Sequence, residues 1–137
     1  MLRAEVLRKR LNKLDEYLAI LRSLQRYSFD EFASNPERYG SAERFLQLAI
    51  EALNDMGNHV IADLNLGPIN AYSDIPLLLQ AHGTIDAGQQ AVWVRMIDLH
   101  NVLMYEYLDI DRTVVYEVLH NNLDDIAALQ RAFALFL

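Results

Sequence analysis

The 137-residue sequence predicts an all-α fold, an antiparallel bundle of four to five helices running up and down. Apolar residues return at steps of three and four along most of the chain, and no stretch alternates as a half-buried strand would. Five Gly and three Pro are few for this length, so long regular elements should dominate over turns. Short connections join the periodic stretches, and antiparallel packing of neighbours is then the simplest way to bury their apolar faces. With 53% hydrophobic residues, the span 1–137 suffices for a single helical domain with its own core.

The first helix carries Ala4, Leu7, Leu11, Leu14, Leu18 and Leu21 on one stripe, with Tyr17, Ile20 and Leu24 on a second beside it. Two apolar faces imply more than one neighbour, part of the helix being open to a subunit interface. Ser28 or Asp30 can cap a short helix, which Asn35-Pro36 ends. Ser41 is the expected cap of a second long helix, whose stripe is Phe45, Leu46, Ala49, Ile50, Leu53, Met56, Val60, Ile61 and Leu64. Gly57 inside it costs about 1 kcal/mol relative to Ala, which points to close approach by another helix. Leu66-Gly67-Pro68 is expected to end this helix.

A short helix should follow at 74–82, with Ser73 as its cap and Gly83 as its stop. Thr84 is the expected cap of the next, about 85–106, with Val92, Met96, Leu99 and Leu103 on the core side. Asp111 can cap the last helix, which buries Val115, Leu119, Leu123, Ile126, Leu129 and Phe133. The apolar run Phe133 to Leu137 should pack on the core or on a partner.

The absence of cysteine excludes a disulfide framework, a thiolate metal site and a cysteine nucleophile. No apolar run approaches the length of a membrane span. Glu5, Asp15 and Glu16 among the first basic residues do not suit a signal peptide, so a soluble cytoplasmic protein is expected. The net charge of −7 is unevenly spread: residues 1–44 balance at +2 and residues 45–137 at −9. Phosphate-backbone affinity grows with the number of charges neutralised. A general nucleic-acid binder is therefore excluded, and any RNA contact must be local or shared across an oligomer. The acidic surface otherwise serves solubility.

Metal chemistry finds little support. Glu117 precedes His120 by three residues and Asp55 precedes His59 by four, but neither pair is repeated as a bundle-core di-iron site requires. No metal and no cofactor is expected. His59, among apolar neighbours, reads as a hydrogen-bonded structural residue, and His82 as a cation favoured by a helix end. Polar and aromatic residues concentrate instead in His100-Asn101-Val102-Leu103-Met104-Tyr105-Glu106-Tyr107. On a regular helix His100, Met104 and Tyr107 share one face, while Tyr105 lies about 140° from His100. Residues 100 and 105 can meet only if the helix ends between them or a second chain supplies one of them. From spacing alone, Tyr105 and Tyr107 read as interface aromatics with satisfied hydroxyls.

The octapeptide resembles the motif Arg-Asn-x-x-x-His-x-Tyr of the HepT-like HEPN ribonucleases, the toxins of HepT/MntA toxin–antitoxin modules. The spacing, Asn101, Glu106 and Tyr107 match; His100 stands for Arg and Tyr105 for His. Leu46-Gln47-Leu48-Ala49-Ile50 running into Asp55-Met56-Gly57-Asn58-His59-Val60-Ile61 resembles the family's second-helix signature. Arg95-Met96-Ile97-Asp98-Leu99 leads into the octapeptide, with Asp98 where the family often has Gly. Leu108-Asp109-Ile110-Asp111 matches its usual turn into the last helix.

The resemblance implies a HEPN-like bundle that homodimerises and brings two motifs to one cleft, where RNA is cut without metal. It implies a nucleotidyltransferase antitoxin of the MNT type, which in some members attaches AMP to the motif tyrosine. By that likeness His100 would contact phosphate, Asn101 would orient the motif, Tyr105 would hold the acid–base position and Tyr107 would accept AMP. A guanidinium clamps phosphate bidentately and stays charged, whereas an imidazole is mostly neutral at pH 7. Loss of a matched acid–base group typically lowers rate by about 10²–10⁴. The expectation is a ribonuclease fold with weak or absent cleavage, either an inactive member or an attenuated form of a toxic parent. The alternative is a non-catalytic helical module that docks a nucleotide or the nucleotidyltransferase.

Overall fold

The computed structural model describes residues 3–137 and, among them, contains helices and no strand. Four long rods build the bundle: α1 (Ala4–Ser23), α3 (Pro36–Asp63), α5 (Ala87–Tyr105) and a last rod in two pieces, α6 (Arg112–Asn121) and α7 (Leu123–Ala134). Two short helices, α2 (Phe29–Ala33) and α4 (Asp74–His82), bridge them. The expected all-α antiparallel bundle is what the chain forms.

The central rod is α3, packed against α1 on one side and α5 and α4 on another. Side-chain pairs fix the directions. Arg10 meets Asp55, and Tyr17 meets Phe45, so α1 and α3 run antiparallel. Trp93 bonds to Asn54 and His100 faces Glu51, so α3 and α5 do too. Arg22 pairs with Asp124 and the Gln130 amide donates to the Leu11 carbonyl, so α7 runs antiparallel to α1.

Leu7, Leu11, Leu14, Leu18 and Leu21 are all buried, as are the six apolar residues expected of the last rod. The core face of α5 is rotated from the expected one. Trp93, Met96, Ile97, His100 and Leu103 are buried, while Val92 and Leu99 are only partly so. This helix is apolar nearly all round, so periodicity alone does not choose its face. Gly57 does mark a close approach. A Cβ there would run into Ile75 Cγ2 and come within 3.1 Å of Trp93 Cη2, so α4 and α5 both press on α3 at that point.

Several helix ends differ from expectation. The cap of α3 is Asn35 rather than Ser41: Asn35 accepts the Glu37 N–H at 2.9 Å, and Pro36 takes the first helical position, where its missing N–H costs nothing. The helix stops at Asp63, before Gly67, because Asn65 enters the left-handed region at φ 54 and the Leu66 N–H closes on the Ile61 carbonyl. Asp86, not Thr84, caps α5, with Gln89 completing a capping box. Ser73 makes no side-chain cap; Asp74 instead accepts the N–H groups of Asn70 and Ala71. Ser28 and Asp111 cap α2 and α6 as expected.

The last rod breaks at Asn122 (φ −121, ψ 0), whose side chain bonds to Asp125 at 2.9 Å. Asparagine competes for local polar groups in this way, which disfavours it inside helices. At the C-terminus Phe133 is buried, but Leu135 is 86% exposed and Leu137 is 52% exposed, so only part of that run packs on the core.

Arg3 ties the head of α1 to the end of α3. Its guanidinium donates to Asp63 Oδ1 at 3.1 Å and to His59 Nδ1 at 3.0 Å. Arginine can only donate, so the imidazole proton sits on Nε2. Burial, with Arg10 and Arg3 nearby, holds His59 below its ordinary 6.5. Hydrogen bonds from Arg3 hold the Asp63 carboxyl below its ordinary 3.8. Both groups take up protons more readily in the unfolded chain, so protonating either one favours unfolding. The stability linked to His59 is complete above pH 6.5 and is lost as pH falls through the lower folded value. That linked to Asp63 is complete above pH 3.8 and is lost further down. Circular-dichroism melts at stepped pH should show the midpoint falling in two stages, and His59→Gln should remove the first. A midpoint that rises on acidification would contradict this.

Candidate functional site

The octapeptide spans the last turns of α5 and the turn beyond it. The helix runs unbroken through Tyr105; Glu106 leaves helical geometry at φ −120, and Tyr107 to Asp109 form a single 3₁₀ turn. His100 and Tyr105 therefore stay on different sides of one continuous helix, and the chain by itself does not bring them together. His100 points into the seam between α3 and α5. It is 8% exposed, and its Nε2 lies 3.4 Å from Glu51 Oε2, too long and poorly aligned to count as a hydrogen bond. Tyr105 points outward and is 76% exposed. Asn101 is exposed and makes no side-chain hydrogen bond among the described residues.

On the facing side, α3 presents Arg44, Gln47 and Glu51 at steps of three and four, one polar strip beside its apolar stripe. The Gln47 amide donates to Glu51 Oε2 at 3.1 Å and touches Met104 Sδ. Antiparallel packing thus sets Glu51 opposite His100 and Gln47 opposite Met104. One step further, Tyr107 stands across a shallow groove from α3. Glu43, Arg44 and Gln47 form one wall of it, and Leu103, Tyr107 and Ile110 the other.

Burial pushes the Glu43 carboxyl above the usual carboxylate range, while the nearby Arg112 guanidinium pulls it back. Arg112 itself lies over the Tyr39 ring at 3.8 Å, a cation–π contact. Met104, Tyr105, Tyr107, Leu108 and Val114 are all exposed around the end of α5, a concentration of apolar surface at the motif.

Chemically the site offers a tyrosyl hydroxyl open to solvent, an arginine lining the same groove, and an imidazole–carboxylate pair two turns inside. Sequence reasoning missed Glu51, Gln47 and Arg44 as neighbours of the motif. The i, i+3, i+7 spacing of the three was visible; which helix they would face was not. No three His, Asp or Glu side chains converge as metal ligands among the described residues, and no helix there is long and apolar enough to cross a membrane.

A family model described as ribonuclease HepT-like matches residues 14–132. The tRNA nuclease HepT of Aphanizomenon flos-aquae is 26% identical over 111 residues, covering 81% of this chain and 76% of that protein. A tri-AMPylated HEPN toxin of Shewanella oneidensis, solved in complex with an MNT antitoxin, superposes with a TM-score of 0.87 at 18% identity, over 95% of this chain and 97% of that one. YutE of Bacillus subtilis, a cytosolic protein of unknown function, superposes with a TM-score of 0.88 at 18% identity, over 99% of this chain and 91% of its own. At that identity the two structures share the fold.

Proposed function

Because the chain belongs to the ribonuclease HepT-like family, we propose that it is the HEPN toxin subunit of a toxin–antitoxin module, with an impaired ribonuclease site. Its partner is an MNT-type nucleotidyltransferase antitoxin, and RNA is the class of substrate. Support comes from the tRNA nuclease relative and from the toxin that shares this fold in an antitoxin complex. The reading takes 1–137 as one HEPN-like domain working in the cytoplasm.

The observation that carries the proposal is the position of Tyr107: 65% exposed, on the turn just past α5, with its side chain on the rim of a groove. An acceptor for AMP must be reachable by a second protein's active site, and this hydroxyl is. Its oxygen would bond to the α-phosphorus of ATP as pyrophosphate leaves. Cleavage is a poorer match. His100 is turned toward Glu51, and Tyr105 offers a phenol where the family has an imidazole. Since one helix keeps 100 and 105 apart, a composite cleft needs a homodimer, for which the exposed apolar residues at the motif supply surface. In that cleft Asn101 orients the motif.

The inward position of His100 favours one second reading, a non-catalytic module in which the same face only docks the antitoxin or a nucleotide. Light scattering after size exclusion, with and without the nucleotidyltransferase, joined to a tRNA-cleavage assay, tests both. A homodimer that binds the antitoxin and cuts tRNA weakly supports the first reading; the same complex with no cleavage at any pH supports the second. A monomer that ignores both tRNA and antitoxin would sink the two together.

A further inference from the structure

The facing strips of α3 and α5 form three rungs: Glu51 with His100, Gln47 with Met104, and Arg44 with Tyr107 across the groove. Their charges are graded. The innermost rung holds a carboxylate beside a buried imidazole, which is a poor place for a phosphate. The outermost holds an exposed guanidinium that makes no ion pair, hydrogen bond or ring contact with the described residues. Many other arginines here are committed: Arg3 to Asp63, Arg10 to Asp55, Arg22 to Asp124, and Arg112 to the Tyr39 ring. Glu43, the acid on the groove wall, lies close enough to Arg112 for the two charges to offset each other.

An uncommitted arginine on a helix is ordinarily a solvated one. What sets Arg44 apart is its place, across from the motif tyrosine, in a chain whose residues 45–137 balance at −9. A polyanion approaching that acidic half needs a local cation. The same groove is also lined by a hydroxyl donor, Tyr107, and a guanidinium with a hydroxyl suits the oxygens of a phosphodiester.

We propose that Arg44 is the phosphate-binding residue of this site, holding a backbone phosphate of RNA beside Tyr107. It supplies from α3 the charge that the family motif supplies at the position of His100. The inference rests on RNA as the substrate class.

The test uses the full chain and a short fluorescent 2′-O-methyl RNA, which has no free 2′-hydroxyl to react, with binding followed by anisotropy across a salt series. Arg44→Ala should weaken binding about tenfold, the loss of one charge-assisted contact. It should also flatten the plot of log affinity against log salt by about 0.7, the value for one single-strand phosphate contact. Arg44→Lys should keep the slope and recover part of the affinity, since an ammonium neutralises phosphate without the bidentate fork. Arg131→Ala makes the same charge change beside Thr84 and Gln89, near the opposite end of α5, and should alter neither quantity.

An Arg44→Ala protein that binds like the parent overturns the assignment and leaves the RNA reading standing. An Arg131→Ala protein that loses as much as Arg44→Ala overturns it in favour of net charge. A parent chain that binds no RNA at any salt overturns the RNA reading, and this inference with it.

Discussion

His100→Arg combined with Tyr105→His should raise RNA cleavage by about 10²–10⁴-fold over the parent chain, the range for a matched general acid–base group. The two substitutions should act unequally. Position 105 is exposed at the end of α5, so an imidazole there meets no steric obstacle and restores a group that exchanges protons near pH 7. Position 100 faces Glu51 at 3.4 Å, so an arginine there gains a carboxylate partner before it meets any phosphate. The single Tyr105→His protein should therefore show most of the gain, and adding Glu51→Gln to the double variant should free the guanidinium and increase it. Cleavage of tRNA at several pH values, with growth of the producing cells, reads the outcome. A double variant that neither cuts RNA nor slows growth would favour the docking-module reading and exclude an attenuated parent.

Trp93→Ala should cost about 3–5 kcal/mol of folding stability, the usual range for removing a large buried aromatic. The indole is fully buried where α3, α4 and α5 converge, and it meets Phe133 edge-on at 5.8 Å. Its Nε1–H donates to Asn54 Oδ1 at 2.9 Å, and Asn54 is itself buried at 4% exposure. Asn54→Ala strands that donor, so it should cost about 1–3 kcal/mol although it removes few atoms. Asn54→Asp would bury a carboxylate at the same point and should destabilise further. Urea unfolding followed by far-ultraviolet circular dichroism avoids reliance on the only tryptophan. A loss under about 1 kcal/mol for Trp93→Ala would mean that the three helices do not share one packed junction.

How far the sequence could be read depended on whether the signal was local. The leucine ladder of α1 is a property of one helix, and every expected leucine in it is buried. Gly57 announced a close approach because its penalty needs compensation, and Ile75 and Trp93 supply the neighbours. Ser28 and Asp111 cap as expected because a cap is a contact between near residues. Ser41 failed because Asn35 with Pro36 starts the helix six residues earlier, and Asn122 broke a rod whose apolar stripe runs straight through it.

The site was legible as a position and not as an environment. The octapeptide located the end of α5, yet nothing along the chain says that His100 faces Glu51 or that Tyr107 faces Arg44. Those pairings come from the register of α3 against α5, which the 3.6-residue period leaves free. The inward turn of His100 follows from the rotated core face of α5, which centres on Trp93, Ile97 and Leu103.

The identity proposed for Tyr107 is tested most directly by the intact mass of this chain after co-production with the MNT-type nucleotidyltransferase proposed as its antitoxin. The parent chain should gain one or more AMP units, absent from Tyr107→Phe and retained in Tyr105→Phe. An unmodified parent chain, or a Tyr107→Phe protein that still carries AMP, would contradict it.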